Sequence, residues 1–150
     1  MKTRWGKRVR PLALACPLLC AAAAIAGAPP VASGADALAQ GDALWASGRI
    51  DEARATFERA AEAEPKSLAA RMKLGGLLLA SGRYREAVPV YQRAISLDAR
   101  NERAWLGLGF AYLHGGQPEL ARAAFEEAVT LQPQRRAELA GLLEKLQKPQ

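Results

Sequence analysis

The chain has 150 residues, with 21 Lys+Arg against 15 Asp+Glu for a formal net charge of +6, and half of its residues are hydrophobic. That is a single-domain length, enough for a modest core. One histidine excludes a two-histidine metal centre within the chain, and two cysteines leave little room for thiol chemistry.

The first 35 residues differ from the rest. Lys2, Arg4, Lys7, Arg8 and Arg10 form a basic start without an acidic residue, and an apolar stretch from Leu12 to Ala28 follows, broken by Pro17. A segment bearing proline, glycine and serine comes next. This three-part layout predicts a secretory signal. Ser33, Gly34 and Ala35 before Asp36 favour cleavage after Ala35, because the other small-residue site, at Ala28, is followed by Pro29. The alternative is a retained membrane anchor, since the stretch sits at the short edge of the roughly 17–25 residues a spanning helix needs. Five of the 21 basic residues and none of the acidic ones lie in residues 1–35, so the remainder carries 16 against 15 and is nearly neutral. The basic balance therefore marks the leader and gives no footprint for nucleic acid. Cys16 and Cys20 also lie there, which leaves the remainder without a disulfide, a thiolate nucleophile or a cysteine metal site.

Beyond residue 35 the chain repeats. Gly41, Gly75 and Gly109 recur 34 residues apart, and so do Gly48, Gly82 and Gly116. Ala53, Ala87 and Ala121 keep the same step, as do Phe57, Tyr91 and Phe125, and then Ala60, Ala94 and Ala128. Each unit reads as helix, tight turn, helix. Along the first helices, small or apolar residues return at three- and four-residue steps, as in Trp105, Leu108, Gly109 and Tyr112. A mid-helix glycine costs about 1 kcal/mol against alanine, so Gly41, Gly75 and Gly109 are expected to serve close packing of the second helix. Gly48, Gly82 and Gly116 are expected to end the first helices in left-handed geometry. Pro65 and Pro133 close second helices, Asn101 is placed to cap a first helix, and Pro89 predicts a kink or frayed start in the second helix of the middle unit. Units of about 34–67, 68–101 and 102–133 follow. Residues 134–150 then carry Leu139, Leu142, Leu143 and Leu146 on one stripe, predicting a capping helix over the last apolar face.

Trp105, Leu108, Gly109, Tyr112, Ala121, Phe125, Ala128 and Pro133 match, position by position, the pattern of the tetratricopeptide repeat family, which the chain resembles over residues of about 35 to 133. The first unit departs from it at Ala37 and Gln40, and the second places Arg71 where the aromatic residue belongs. The resemblance implies an all-α fold of three helix-turn-helix repeats in a right-handed superhelix, with a C-terminal capping helix. It also implies a protein-binding adaptor or assembly factor, without enzymatic activity or cofactor. Small exported proteins of this type assist the assembly of envelope machines, so the leader and the resemblance together point to the bacterial periplasm, or to an inner-membrane anchor facing it.

In that family the first helices line a concave face. The inward positions here are Leu38, Asp42 and Trp45, then Met72, Gly76 and Leu79, then Leu106, Phe110 and Leu113. Most are large and apolar, and a second apolar stripe on a surface helix marks an interaction site. The ligand this suggests is a helical or extended apolar segment of a partner protein. Trp45 and Phe110 would be its anchors, and Met72 an adaptable contact. Packing against the neighbouring repeat, and self-association into a larger complex, are the other uses such a stripe can have. Some family members clamp a terminal carboxylate on these helices. Here Lys73 and Arg103 are the only basic residues near the clamp, while Leu38, Asp42 and Leu106 occupy three of its places, so such peptides are not expected ligands. His114 near a helix end reads as a solvated or capping residue. Glu58 and Glu62 around Arg59 read as a solvated charged face.

Overall fold

The computed structural model describes residues 34–147. The leader or anchor reading, both cysteines and the alternative cleavage site at residues 26–28 lie outside them. The described residues form α1 (Gly34–Ala46), α2 (Ile50–Ala63), α3 (Leu68–Ala80), α4 (Tyr84–Leu97), α5 (Glu102–His114), α6 (Pro118–Leu131) and α7 (Arg136–Gln147), with one 3-10 turn at Pro133–Arg135 before the last helix. Because α1 starts at Gly34, the favoured cleavage point after Ala35 falls in its first turn. No helix among the described residues is long and apolar enough to cross a membrane.

The punctuation follows the sequence. Gly48, Gly82 and Gly116 sit at φ of 77°, 75° and 79°. In each turn the next residue's N–H reaches back over the left-handed glycine: Arg49 to the Leu44 carbonyl at 2.9 Å, Arg83 to Leu78 at 2.8 Å, Gln117 to Tyr112 at 2.9 Å. This closure satisfies carbonyls that the helix end would leave open. Asn101 caps α5, its side chain accepting from the Ala104 N–H at 3.1 Å, and Ser67 does the same for α3 from Ala70 at 3.3 Å. Pro89 does not have the predicted effect on the start of its helix. α4 runs unbroken from Tyr84 to Leu97, and its first turn is closed onto the Arg83 carbonyl by Glu86 and Ala87. The buried stripe of Ala87, Tyr91 and Ala94 holds that helix in place against the single bond the proline removes.

The repeated glycines are spaces for rings. A Cβ on Gly41 would lie 2.3 Å from the Phe57 ring, one on Gly75 2.7 Å from Tyr91, and one on Gly109 2.5 Å from Phe125. The aromatic residue of each second helix thus fills the place of a missing side chain on the first helix. Ala53, Ala87 and Ala121, at 0 % exposure, let the two helices of each pair approach. Phe57 and Phe125 are fully buried, and burial of one such side chain contributes about 2–3 kcal/mol.

Each helix packs on its neighbours in the chain. In addition the backbones of α1 and α3, and of α3 and α5, come close, whereas those of α2, α4 and α6 stay apart, with only side chains such as Arg54 and Glu86 reaching between α2 and α4. The first helices therefore form a contiguous row, and the second helices stand apart on the other side. This is the layout of a helical repeat solenoid. At its end α7 packs on α6. Leu139 is buried, and Leu142, Leu143 and Leu146 close over Phe125 and Val129. Leu143 stands 34 residues after Gly109, so the space for an inserted ring is filled by a leucine and the helix covers the array's last face.

Candidate functional site

The contiguous row of α1, α3 and α5 carries the predicted groove residues, and the structure divides them into two groups. Leu38, Trp45, Met72 and Leu79 are half-buried and pack onto the larger core formed by the first two pairs and α5. Leu106 and Leu113 are half-buried against the C-terminal core around Phe125 and Leu139. Phe110 alone among the apolar members is exposed, at 38 %, and its ring meets Phe125 edge-on with centroids 5.1 Å apart. The stripe is thus partly spent on packing between repeats. What remains is a shallow apolar strip with Phe110 as its most accessible ring. Trp45 crosses from α1 to α3, where its ring lies 3.7 Å from the place a Cβ on Gly76 would occupy. It reaches the neighbouring helix, where Gly76 gives it room.

Polar groups on the strip are few. The Lys73 Nζ donates to both carboxylate oxygens of Asp42 at 2.8 Å, joining α3 to α1 across the row. Both side chains keep over two-fifths of their surface exposed, so the pair contributes at most about 1 kcal/mol. Its effect is to cancel charge: the only lysine on the strip is already matched, which removes it from any carboxylate clamp. Arg103 is exposed on α5. Its charge acts on Tyr91, whose hydroxyl is nonetheless pushed up to about 12 by burial, with Arg103 pulling the other way.

Elsewhere the charged faces are tied locally. Glu58 pairs with Arg54 at 3.0 Å and not with Arg59, whose guanidinium donates to the Ala55 carbonyl and the Thr56 hydroxyl at 3.2 Å. Spacing explains the choice of partner, because adjacent residues point away from each other while residues four apart share a face. Arg135 reaches Glu102 at 3.4 Å and fastens the turn before α7 to the start of α5. His114 ends α5 and stacks on Tyr84, with centroids 4.8 Å apart. No cluster of three or more His, Cys, Asp or Glu able to hold a metal is found among the described residues.

Paired helices, plugged glycines and a contiguous inner row define a helical-repeat scaffold. Residues 38–99 and residues 78–146 match two family models, both described as tetratricopeptide repeat. The chain belongs to the tetratricopeptide repeat family. No curated protein sequence matches it. Among solved structures it is similar to MamA from Desulfovibrio magneticus RS-1, with 25% identity and a TM-score of 0.70 over 77% of this chain and 65% of that one. It is similar in fold to the second repeat domain of human RPAP3 in complex with an HSP70 peptide, at 22% identity and a TM-score of 0.70, covering 77% of this chain and 96% of that one. The Yersinia enterocolitica type III secretion chaperone SycD, in complex with a peptide of the translocator YopD, matches at 18% identity and a TM-score of 0.67 over 73% of this chain and 88% of that one. The chain thus spans about two-thirds of the length of the MamA structure.

Proposed function

We propose that this protein is an adaptor or assembly factor that holds a helical or extended apolar segment of a partner protein against the inner row of first helices. The observation that carries this reading is the strip itself. Leu38, Trp45, Met72, Leu79, Leu106 and Leu113 form a half-buried apolar floor, Phe110 stands exposed at 38 %, and the one ion pair on the floor neutralises itself. Such a surface gains from covering apolar area and offers little to a highly charged ligand. Phe110 and Trp45 are the anchors, because rings supply large contact area with few rotatable bonds. That RPAP3 and SycD were solved with bound peptides supports a peptide-holding use of this fold. The basic and apolar start of the chain supports an exported setting, periplasmic or anchored in the inner membrane, and the partner belongs to the same compartment.

The test is capture with the full chain from envelope extract, beside a Leu79→Glu, Phe110→Glu double variant whose helix content is checked by circular dichroism. A protein retained by the parent and lost by the folded variant supports the reading. Equal retention by both contradicts it.

A further inference from the structure

The second helices stand apart, and the gaps between them are recesses floored by a first helix. The recess between α4 and α6, above α5, has a volume of about 650 Å3. Its walls include Ile95, Trp105, Leu108, Leu120 and Ala124, and Glu127 stands at its rim. The equivalent recess one repeat earlier, between α2 and α4 above α3, is only about 280 Å3 and is lined by Ala61, Leu74, Pro89 and Val90 together with Glu58, Glu62, Arg71 and Arg93.

The two recesses are lined from equivalent positions 34 residues apart, and their side chains differ. Trp105 replaces Arg71, Leu120 replaces Glu86, Ala123 and Ala124 replace Pro89 and Val90, and Ile95 replaces Ala61. In the earlier repeat Glu86, the counterpart of Leu120, is held by Arg83 at 2.9 Å and lies 4.0 Å from Arg54, so a tied charge stands where the later repeat exposes an apolar side chain. In the later repeat Leu120 is 49 % exposed, the most exposed large apolar side chain among the described residues. The floor's own polar atoms are already matched: Trp105 donates its indole N–H to the Ala99 carbonyl at 2.9 Å, and Gln92 donates to the Tyr112 hydroxyl at 2.9 Å. The recess therefore offers apolar surface from Ile95, Leu108, Leu120 and Ala124, with its Trp105 and Gln92 donors already engaged. At the rim Glu126 is taken by Arg122 at 2.8 Å, while Glu127 has no ion-pair partner among the described residues. An apolar hole beside an unmatched carboxylate is complementary to a large apolar side chain with a cation next to it.

We propose that this outer recess is a second docking site, separate from the inner strip, for a partner segment that carries a large apolar side chain beside lysine or arginine. The apolar side chain fills the space between Leu120, Ile95 and Trp105, and the cation meets Glu127. The protein would then hold two chains at once, one on each side of the solenoid.

The test is selection of random peptides of about twelve residues, displayed on phage, against the full chain and its variants. The expected peptides pair a large apolar residue with lysine or arginine. Their affinity falls about tenfold or more with Leu120→Glu and with Glu127→Lys, and is unchanged by Phe110→Glu. Both substituted side chains are solvent-facing, and circular dichroism of Leu120→Glu and of the milder Leu120→Asn establishes that the helices persist. Peptides that ignore both substitutions, or that are lost only with Phe110→Glu, overturn the outer site and leave the inner strip standing. A dimer in sedimentation that Leu120→Glu dissolves also overturns it, since the occupant would then be a second copy.

Discussion

The buried seam between the helices of each pair and the inner strip of the solenoid lie on the same first helices, yet they obey different rules. At the seam every unit uses the same solution: a glycine on one helix receives a ring from the other, at Gly41 and Phe57, Gly75 and Tyr91, Gly109 and Phe125. On the strip, residues at the same register differ from unit to unit: Leu38, Met72 and Leu106 at one level, Asp42, Gly76 and Phe110 at the next. The seam holds the array together, because each ring loses its packing partners on both helices if either side changes. The strip varies from unit to unit because its residues are only partly buried and are not held to one ring-and-glycine fit. Repetition in this chain thus encodes the scaffold, and departures from repetition encode what the scaffold can grip.

The sharpest way to break that contrast is to damage one side and leave the other. Phe57→Ala empties a fully buried site and is expected to destabilise the fold by about 3–5 kcal/mol in urea denaturation. Leu79→Glu, in the half-buried strip, is expected to cost clearly less, so equal losses for the two would erase the distinction between seam and strip.

Tyr91 offers a finer test within the seam, because the outer units use phenylalanine at its position. Its hydroxyl is raised to about 12 by burial, so the folded state keeps a proton that the unfolded chain releases near pH 10. The contribution is fully present below about pH 10 and is lost as pH rises through about 12, a fall of roughly 2–3 kcal/mol. Tyr91→Phe, packed as Phe57 and Phe125 are, should remove that alkaline loss while leaving neutral stability close to the parent. Denaturation midpoints at pH 8 and pH 11 for the two proteins check it.

Smaller effects are expected at the turns and on the strip. Gly82→Ala forces a side chain into φ of 75° and should lower stability by about 1 kcal/mol, with Gly82→Asn recovering part of it. Lys73→Gln breaks the exposed pair with Asp42 and should change stability by less than about 1 kcal/mol, less still at high salt. A larger loss would mean that the pair clamps α1 to α3.

Much of the seam was legible in the sequence, because a missing side chain and a ring leave a periodic trace. Gly48, Gly82 and Gly116 announced their left-handed turns for the same reason. The strip was legible as a set of positions but not as a surface. Asp42 and Lys73 read as separate candidates, since their pairing joins residues 31 apart and depends on how closely α1 and α3 approach. The share of Leu106 and Leu113 claimed by the C-terminal core was equally hidden, as it depends on where α7 lands. The start of α4 does not fray because the cost of Pro89 is local, whereas the burial of Ala87, Tyr91 and Ala94 that outweighs it comes from two neighbouring helices. The outer recess escaped entirely, for it depends on side chains that differ from those one repeat earlier, Leu120 for Glu86 and Ala124 for Val90, and on how far apart α4 and α6 stand.

The most direct test of the inner strip is site-specific photocrosslinking in the full chain, with benzoylphenylalanine in place of Phe110 on the strip or of Arg59 on the outer surface of α2. The proposed role predicts a partner crosslinked from position 110 through an apolar segment, with no such product from position 59. The same product from both positions, or from position 59 alone, would contradict it.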